Sequence, residues 1–288
     1  MIRPEQRVSV VTGATGGIGR WIALGLAQAD HHVVLVCRDA EKGHALTDWI
    51  RQHAPAASTE LRLADLSSLR AARHLGEQIA VAHPRLAVLV NNAGMFAARR
   101  TTTAEGHDIV LALNHLAPLV LTDALEGALR AGRPSRIVNV GSSTSDRARI
   151  DPDNLELVRH WGMVRAYGRS KLAMMMSTFV RAQRLRGSGV VANVVHPGMV
   201  ATGLIREHGA IGLAWHLMGP FLRTAQQGAD TPLQVALAPD WEAVSGVYVK
   251  DRAVVRPNRR ALDLALVDRV EAASRTLVAR STVVETLR

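Results

Sequence analysis

Tyr167 and Lys171 stand four residues apart in Tyr167-Gly168-Arg169-Ser170-Lys171, a spacing that on a helix sets a phenol and an ammonium on one face. Such a pair suits acid–base work. A free tyrosine titrates near about 10 and exchanges protons poorly at neutral pH, but an adjacent cation favours the phenolate and is expected to bring it into a useful range. A second group lies near the start of the chain, in Thr12-Gly13-Ala14-Thr15-Gly16-Gly17-Ile18-Gly19. It follows a first apolar run and opens a helix, so free backbone N–H groups and a positive helix end are set for the phosphates of a dinucleotide. Gly13, Thr15, Gly16, Gly17, Ile18 and Gly19 are the candidate contacts.

The second apolar run ends in Val36-Cys37-Arg38-Asp39, where a dinucleotide presents its adenosine ribose. An acidic residue there would bond the ribose 2′-hydroxyl and repel a 2′-phosphate. Cys37 takes that place and Arg38 follows, so NADP(H) is expected over NAD(H), with Asp39 one position on as the contrary sign.

The elements that must hold these groups follow a βαβ rhythm. Strands are predicted at Val8–Val11, Val33–Val36, Leu61–Leu63, Leu86–Val90, Arg136–Val140, Val190–Val195 and Val247–Val249. Their nearly continuous apolar character marks parallel strands covered on both faces, hence a doubly wound parallel α/β sheet. Helices are predicted at Gly17–Gln28, Glu41–Gln52, Ser67–Ala82, Asp108–Ala131, Met163–Arg186 and Ala225–Ala236. No linker or repeat divides residues 1–288, and a single domain is expected. Met174-Met175-Met176 reads as core filler. A charged helical tail from about Leu262 could cover a sheet edge or contact a second subunit.

Composition bounds the setting. With 288 residues, 48% hydrophobic, the chain can bury a sizeable core. One cysteine, Cys37, excludes an internal disulfide and fits a reducing compartment, so a cytoplasmic location is expected. The apolar run begins directly after Met1-Ile2-Arg3-Pro4-Glu5-Gln6-Arg7, and no export signal is expected. The stretch Ala210–Leu222 is broken by His216, Gly219 and Pro220 and is shorter than the roughly 20 residues of a membrane span, so none is expected. The net charge of +10 is spread along the chain despite a cluster at Arg252, Arg256, Arg259 and Arg260. Only 3% of residues are aromatic, which favours a solvated basic face over a nucleic-acid partner. No Cys/His/carboxylate group has metal-ligand spacing, and no metal is expected.

Taken together, Thr12-Gly13-x-x-x-Gly17-x-Gly19, Asp65-Leu66, Asn91-Asn92-Ala93-Gly94, Asn114, Ser142, Tyr167-x-x-Ser170-Lys171 and Pro197-Gly198 with Thr202 resemble the short-chain dehydrogenase/reductase superfamily, from the first strand to beyond Asp251. Arg136-Ile137-Val138-Asn139-Val140, Asn114-His115-Leu116 and Thr224-Ala225-Gln226-Gln227-Gly228-Ala229 are similar to its retinol-dehydrogenase-like and WW-domain-oxidoreductase-like group. The resemblance implies a single-domain Rossmann fold and hydride transfer between a nicotinamide cofactor and a carbonyl or alcohol. It also implies that the substrate is a lipophilic small molecule, and that dimers or tetramers are common.

Carried over to this chain, the resemblance makes Tyr167 the general acid in reduction, with Lys171 lowering its pKa and holding the nicotinamide ribose. Ser142, rather than its neighbour Ser143, would bond the substrate oxygen, and Asn114 would bend its helix and hold a water linking Lys171 to solvent. Asp65 would face the adenine or cap the helix beginning near Ser67. Leu66, Asn92, Ala93, Gly94, Pro197, Gly198, Val200 and Thr202 complete the cofactor set, and His196 reads as a packed histidine. Leu204, Ile205, Leu213, Trp215, Leu217, Met218, Phe221 and Leu222 in segment 199–224 suggest an apolar lid. The rival reading is a catalytically silent NADP-binding regulatory protein.

Overall fold

The computed structural model describes residues 6–200 and 222–283. Seven strands run parallel: β1 (Val8–Thr12), β2 (His32–Cys37), β3 (Ser58–Leu63), β4 (Val88–Asn91), β5 (Ser135–Val140), β6 (Val190–His196) and β7 (Tyr248–Lys250). β8 (Ala253–Val255) adds antiparallel to β7, giving the order β3-β2-β1-β4-β5-β6-β7-β8. This is a single-domain α/β Rossmann fold. Every residue of β1, β2, β4 and β5 is buried, as their unbroken apolar runs require, whereas the edge strand β3 mixes Glu60 and Arg62 with Leu61 and Leu63 and is half-open.

The helices are α1 (Gly17–Gln28), α2 (Ala40–His53), α3 (Leu69–Ala82), α4 (Ile109–Ala131), α5 (Met163–Arg184), α6 (Ala225–Leu237) and α7 (Leu264–Val283). Two cores follow. On one face Leu75 and Ile79 of α3, Leu121 and Leu125 of α4 and Leu172 of α5 pack on Val10, Leu89 and Ile137, with Met174, Met175 and Met176 buried among them. On the other, Ile22 and Leu26 of α1 and Val235 of α6 cover Val11, Val90 and Val138. Each large side chain so buried contributes about 1.5–3 kcal/mol. α4 is long and apolar enough to cross a membrane by composition alone, and 72% of that window is buried inside the domain as a core helix.

Several boundaries differ from the sequence expectation. β4 starts at Val88 because the Leu86 N–H is drawn to Ala128 O of α4. α3 starts at Leu69, where Ser68 caps it; Ser67 instead closes a turn on Asp65 Oδ1. α5 ends at Arg184 rather than Arg186. α4 is not uniform: residues Ala112–Leu116 form a wide π turn around Asn114. β8 was not foreseen, because its hairpin turns through Asp251 (φ +49°) and Arg252 (φ +66°) without the usual glycine or asparagine. The tail helix α7 does not cover a sheet edge. It lies on α3 and α5, fastened by Ser177 Oγ to Glu271 Oε2 (2.5 Å) and by His107 and His115 to Ser281 and Ser274 (both 2.7 Å). Thr202 and the lid residues Leu204, Ile205, Leu213, Trp215, Leu217, Met218 and Phe221 lie outside the described residues.

Candidate active site

The order of strands reverses between β1 and β4, and this is where an open α/β sheet leaves a crevice. Thr12 and Asn92 clamp the two loops that border it. Asn92 Nδ2 donates to the carbonyls of Thr12 (3.0 Å) and Gly13 (3.1 Å), while Thr12 Oγ1 accepts from the N–H of Asn92 and Ala93, both at 3.0 Å. Gly13 sits at φ +62°, and a Cβ there would meet Ala93 Cα at 2.9 Å; at Gly19 it would lie 2.3 Å from Gly13 O. Gly16 is different. It caps α1 without a side-chain acceptor, and nothing lies within 4 Å of where its Cβ would be. The helix end therefore presents its amides to an open cradle, the arrangement a dinucleotide phosphate needs. Thr15 borders it, half-buried.

Ile18 and Val200 pack in one cluster with Ala229, and the bare Cα of Gly228 makes room for both. Pro197 is buried, and Gly198 has φ +88° next to Arg223, which pairs with Asp251 at 2.7 Å. Burial pushes His196 down to about 4, so it is a neutral, packed histidine.

At the end of β2, Cys37 is buried and its thiol is pushed up by that burial. Asp39 is engaged: its side chain accepts the Lys42 N–H at 3.0 Å, capping α2, and pairs with Lys42 Nζ at 3.1 Å, which holds the carboxyl below its ordinary range. Arg38 is exposed and forms no ion pair among the described residues. Asp65 is exposed above buried Leu66.

The proton-handling residues converge from three elements. Tyr167 and Lys171 share a face of α5, Asn114 comes from the wide turn of α4, and Ser142 follows β5. Asn114 is wholly buried: its Oδ1 accepts from Met95 N (2.8 Å), and its Nδ2 donates to Met95 O and to Ser170 Oγ, each at 3.0 Å. Ser170 in turn donates to Tyr167 O, which ties the α4 turn to the tyrosine's own turn. Gly94 leaves space between Asn114 and Lys171, since a Cβ on it would lie 3.1 Å from Asn114 Oδ1 and 3.4 Å from Lys171 Nζ. Ser142 Oγ accepts from Thr144 N and Oγ1, so it is a turn residue as well as a partner of the phenol.

Burial pushes Tyr167 up to about 12, against the downward shift expected from Lys171, with Ser142 opposing the rise. Lys171 Nζ is 5.9 Å from the tyrosine ring centre, donates to Val140 O at 2.8 Å, and is itself pushed down to about 8 by burial. Spacing also missed Phe96, whose ring stacks on Tyr167 at 3.5 Å between centres and 17° between planes. Ile109, Val110, Leu157 and Trp161 extend this apolar wall, and Trp161 Nε1 donates to Asp108 Oδ2 at 3.0 Å. Phe96 stands in a loop with no periodic pattern to announce it.

The fold and this site define an NAD(P)-dependent oxidoreductase that interconverts alcohols and carbonyls. The model of the short chain dehydrogenase family matches residues 7–210, and the chain belongs to that family, within its retinol-dehydrogenase-like group. It is 36% identical to human retinol dehydrogenase 12 over 256 residues, covering 88% of this chain and 81% of that one. It is 37% identical over 273 residues to a proposed daunorubicin C-13 ketoreductase of Streptomyces sp. (strain C5), covering 94% and 92%. Among solved structures it is similar to a short chain dehydrogenase of Burkholderia cenocepacia J2315 in complex with NADP, with TM-score 0.68, 29% identity and 85% and 95% coverage.

Proposed function

We propose that the chain is an NADP(H)-dependent reductase of lipophilic carbonyl compounds in which Tyr167 donates the proton. The observation that carries this is the buried phenol of Tyr167, protonated at neutral pH, beside Ser142 and walled by Phe96, Val110, Leu157 and Trp161. Reduction needs a proton on the donor, and a group titrating near 12 keeps it until the acceptor oxygen becomes basic. Ser142 is set to hydrogen-bond that oxygen as charge develops. Lys171, charged below about 8, offsets the negative charge left on the phenolate, and Asn114 and Lys171 face the Gly94 gap as the route by which the proton is replaced.

NADP(H) supplies or accepts a hydride at its nicotinamide carbon. The residues present fit it: the open amide end of α1 for the phosphates, Lys171 for ribose hydroxyls, and Asp65, Leu66, Asn92, Ala93, Gly94, Pro197, Gly198 and Val200 along the crevice. NADP(H) over NAD(H) is supported by Arg38, exposed and without an ion pair among the described residues, beside an Asp39 already engaged with Lys42. The apolar wall supports a lipophilic substrate, as do relatives named for retinol and for a daunorubicin ketone. A cytoplasmic setting is proposed with it, on the single thiol of Cys37.

The test is consumption of NADPH and NADH with a panel of aldehydes and ketones of graded hydrophobicity, run with Tyr167→Phe and Arg38→Ala. Expected are turnover that rises with substrate hydrophobicity, its loss in Tyr167→Phe with NADPH binding retained, and about a tenfold weaker KM for NADPH alone in Arg38→Ala. Nucleotide binding without carbonyl consumption in the wild type would return the chain to the regulatory reading.

A further inference from the structure

At the opposite end of the sheet from the glycine turn, His32 opens β2, Glu60 lies on the adjacent edge strand β3, and His83 follows α3. The three side chains offer ligand atoms that all lie within 4.8 Å of one another. Glu60 Oε2 is the hub, 2.8 Å from His83 Nε2 and 3.5 Å from His32 Nε2. Both imidazoles are buried, His32 to 3% exposure and His83 to 6%. We propose that His32, Glu60 and His83 bind one divalent transition-metal ion, with zinc the best match, at a site separate from the dinucleotide crevice.

His32 Nε2 is buried and makes no hydrogen bond. His32 Nδ1 is taken up by Ser58 Oγ at 2.8 Å. If Nδ1 carries the proton and donates to Ser58, the Nε2 lone pair faces a carboxylate oxygen at 3.5 Å with nothing electropositive between them. If Nε2 carries it, the proton reaches only a long 3.5 Å contact with Glu60 Oε2, whose nearer partner is His83 Nε2. A cation between the two atoms removes both difficulties and selects the first tautomer, in which Ser58 orients the ligand from behind.

Glu60 is prepared in the same way. Arg62 Nε donates to Oε1, which fixes the carboxylate and leaves Oε2 for the cluster. Two imidazole nitrogens and one carboxylate oxygen suit zinc rather than magnesium or calcium. Tetrahedral zinc with bonds of about 2.0–2.1 Å holds its ligands roughly 3.3 Å apart. The 3.5 Å separation already meets this, and the 2.8 Å one must open by about half an ångström. Glu60 keeps 26% exposure, giving solvent a route to a fourth position. The ion would join an edge strand and a helix end to the buried strand β2.

The experiment uses the untagged full-length chain, stripped with a chelator and titrated with Co(II) and then Zn(II). The wild type is expected to develop the intense visible bands of tetrahedral cobalt at one equivalent, displaced by zinc, with Tm raised by about 5 °C at a hundredfold excess over Kd. Glu60→Gln and His83→Gln should weaken binding by at least about tenfold. His83→Cys, which restores a ligand, should recover it. Far-UV circular dichroism and NADPH binding serve as controls of folding. A wild type without the cobalt bands overturns the proposal and needs no variant to do so, and equal affinity in folded Glu60→Gln overturns it as well.

Discussion

From Gly13 to Gly19 the chain is shaped by side chains it lacks, whereas around Tyr167 it is shaped by ionisable side chains buried against their preference. In the first region a missing Cβ lets Gly13 meet Ala93 and lets Gly19 lie on Gly13 O, and the reward is an open helix end. In the second, Lys171 at 3% exposure and Tyr167 at 6% are held where water would stabilise their charged forms better. The lesson is that backbone sites are limited by space and proton-handling sites by solvation. The two should therefore fail in different ways.

The largest separation is expected at Lys171. Lys171→Met should lower kcat by about 10²–10⁴-fold while Tm at pH 7 stays level or rises, because a buried ammonium is removed. Wild-type turnover should fall as pH rises through about 8. A variant that loses both activity and stability would show instead that Lys171 is chiefly structural.

Acid should act next, through His115 on the same wide turn. Its Nε2 is 2.7 Å from Ser274 Oγ, whose own proton goes to Val270 O, so Nε2 carries the hydrogen and Nδ1 is buried without a partner. Burial holds this histidine at about 4, against about 6.5 unfolded. Between those values the unfolded chain binds the extra proton, so stability falls as pH drops from 6.5 to 4, by up to about 3 kcal/mol from this group. Urea midpoints at pH 7, 5.5 and 4 should fall less steeply in His115→Gln, and parallel curves would count against the assignment.

The glycines offer smaller and opposite effects. Gly19→Ala places a Cβ 2.3 Å from Gly13 O and 2.6 Å from Asn92 Nδ2 and should cost about 1–3 kcal/mol in denaturant melts. Gly16→Ala has nothing within 4 Å and should change stability by less than about 0.5 kcal/mol while weakening NADPH in a fluorescence titration. Equal stability losses in the two would erase the distinction drawn above.

How much of this was legible in the sequence follows the same division. The glycine turn is a local pattern, and α1 runs from Gly17 to Gln28 as its spacing predicts. The partners of Tyr167 could be named by resemblance, but the energetics could not: spacing shows that Lys171 is near, not that burial outweighs its charge. His32, Glu60 and His83 are far apart along the chain and meet only because β2 and β3 are neighbours and α3 returns beneath them. No local motif announces that meeting, nor the Phe96 stack, nor a hairpin turned by Asp251 and Arg252.

The wide turn at Ala112–Leu116 also sets a phase. A regular helix advances about 100° per residue, so one extra residue in a turn rotates everything after it by roughly that angle. Val110 ahead of the turn faces Tyr167 and Leu157, while Leu121, Leu125 and Leu129 beyond it face the main core. Leu111, also ahead of the turn, joins the main core, so the stretch before the turn meets both surfaces and the turn keeps the leucines after it on the core. Forcing this turn into regular helix without removing a residue would turn one of the two halves away from its neighbours, whereas deleting a single residue such as Leu113 would keep both in phase and lose the wide turn that carries Asn114.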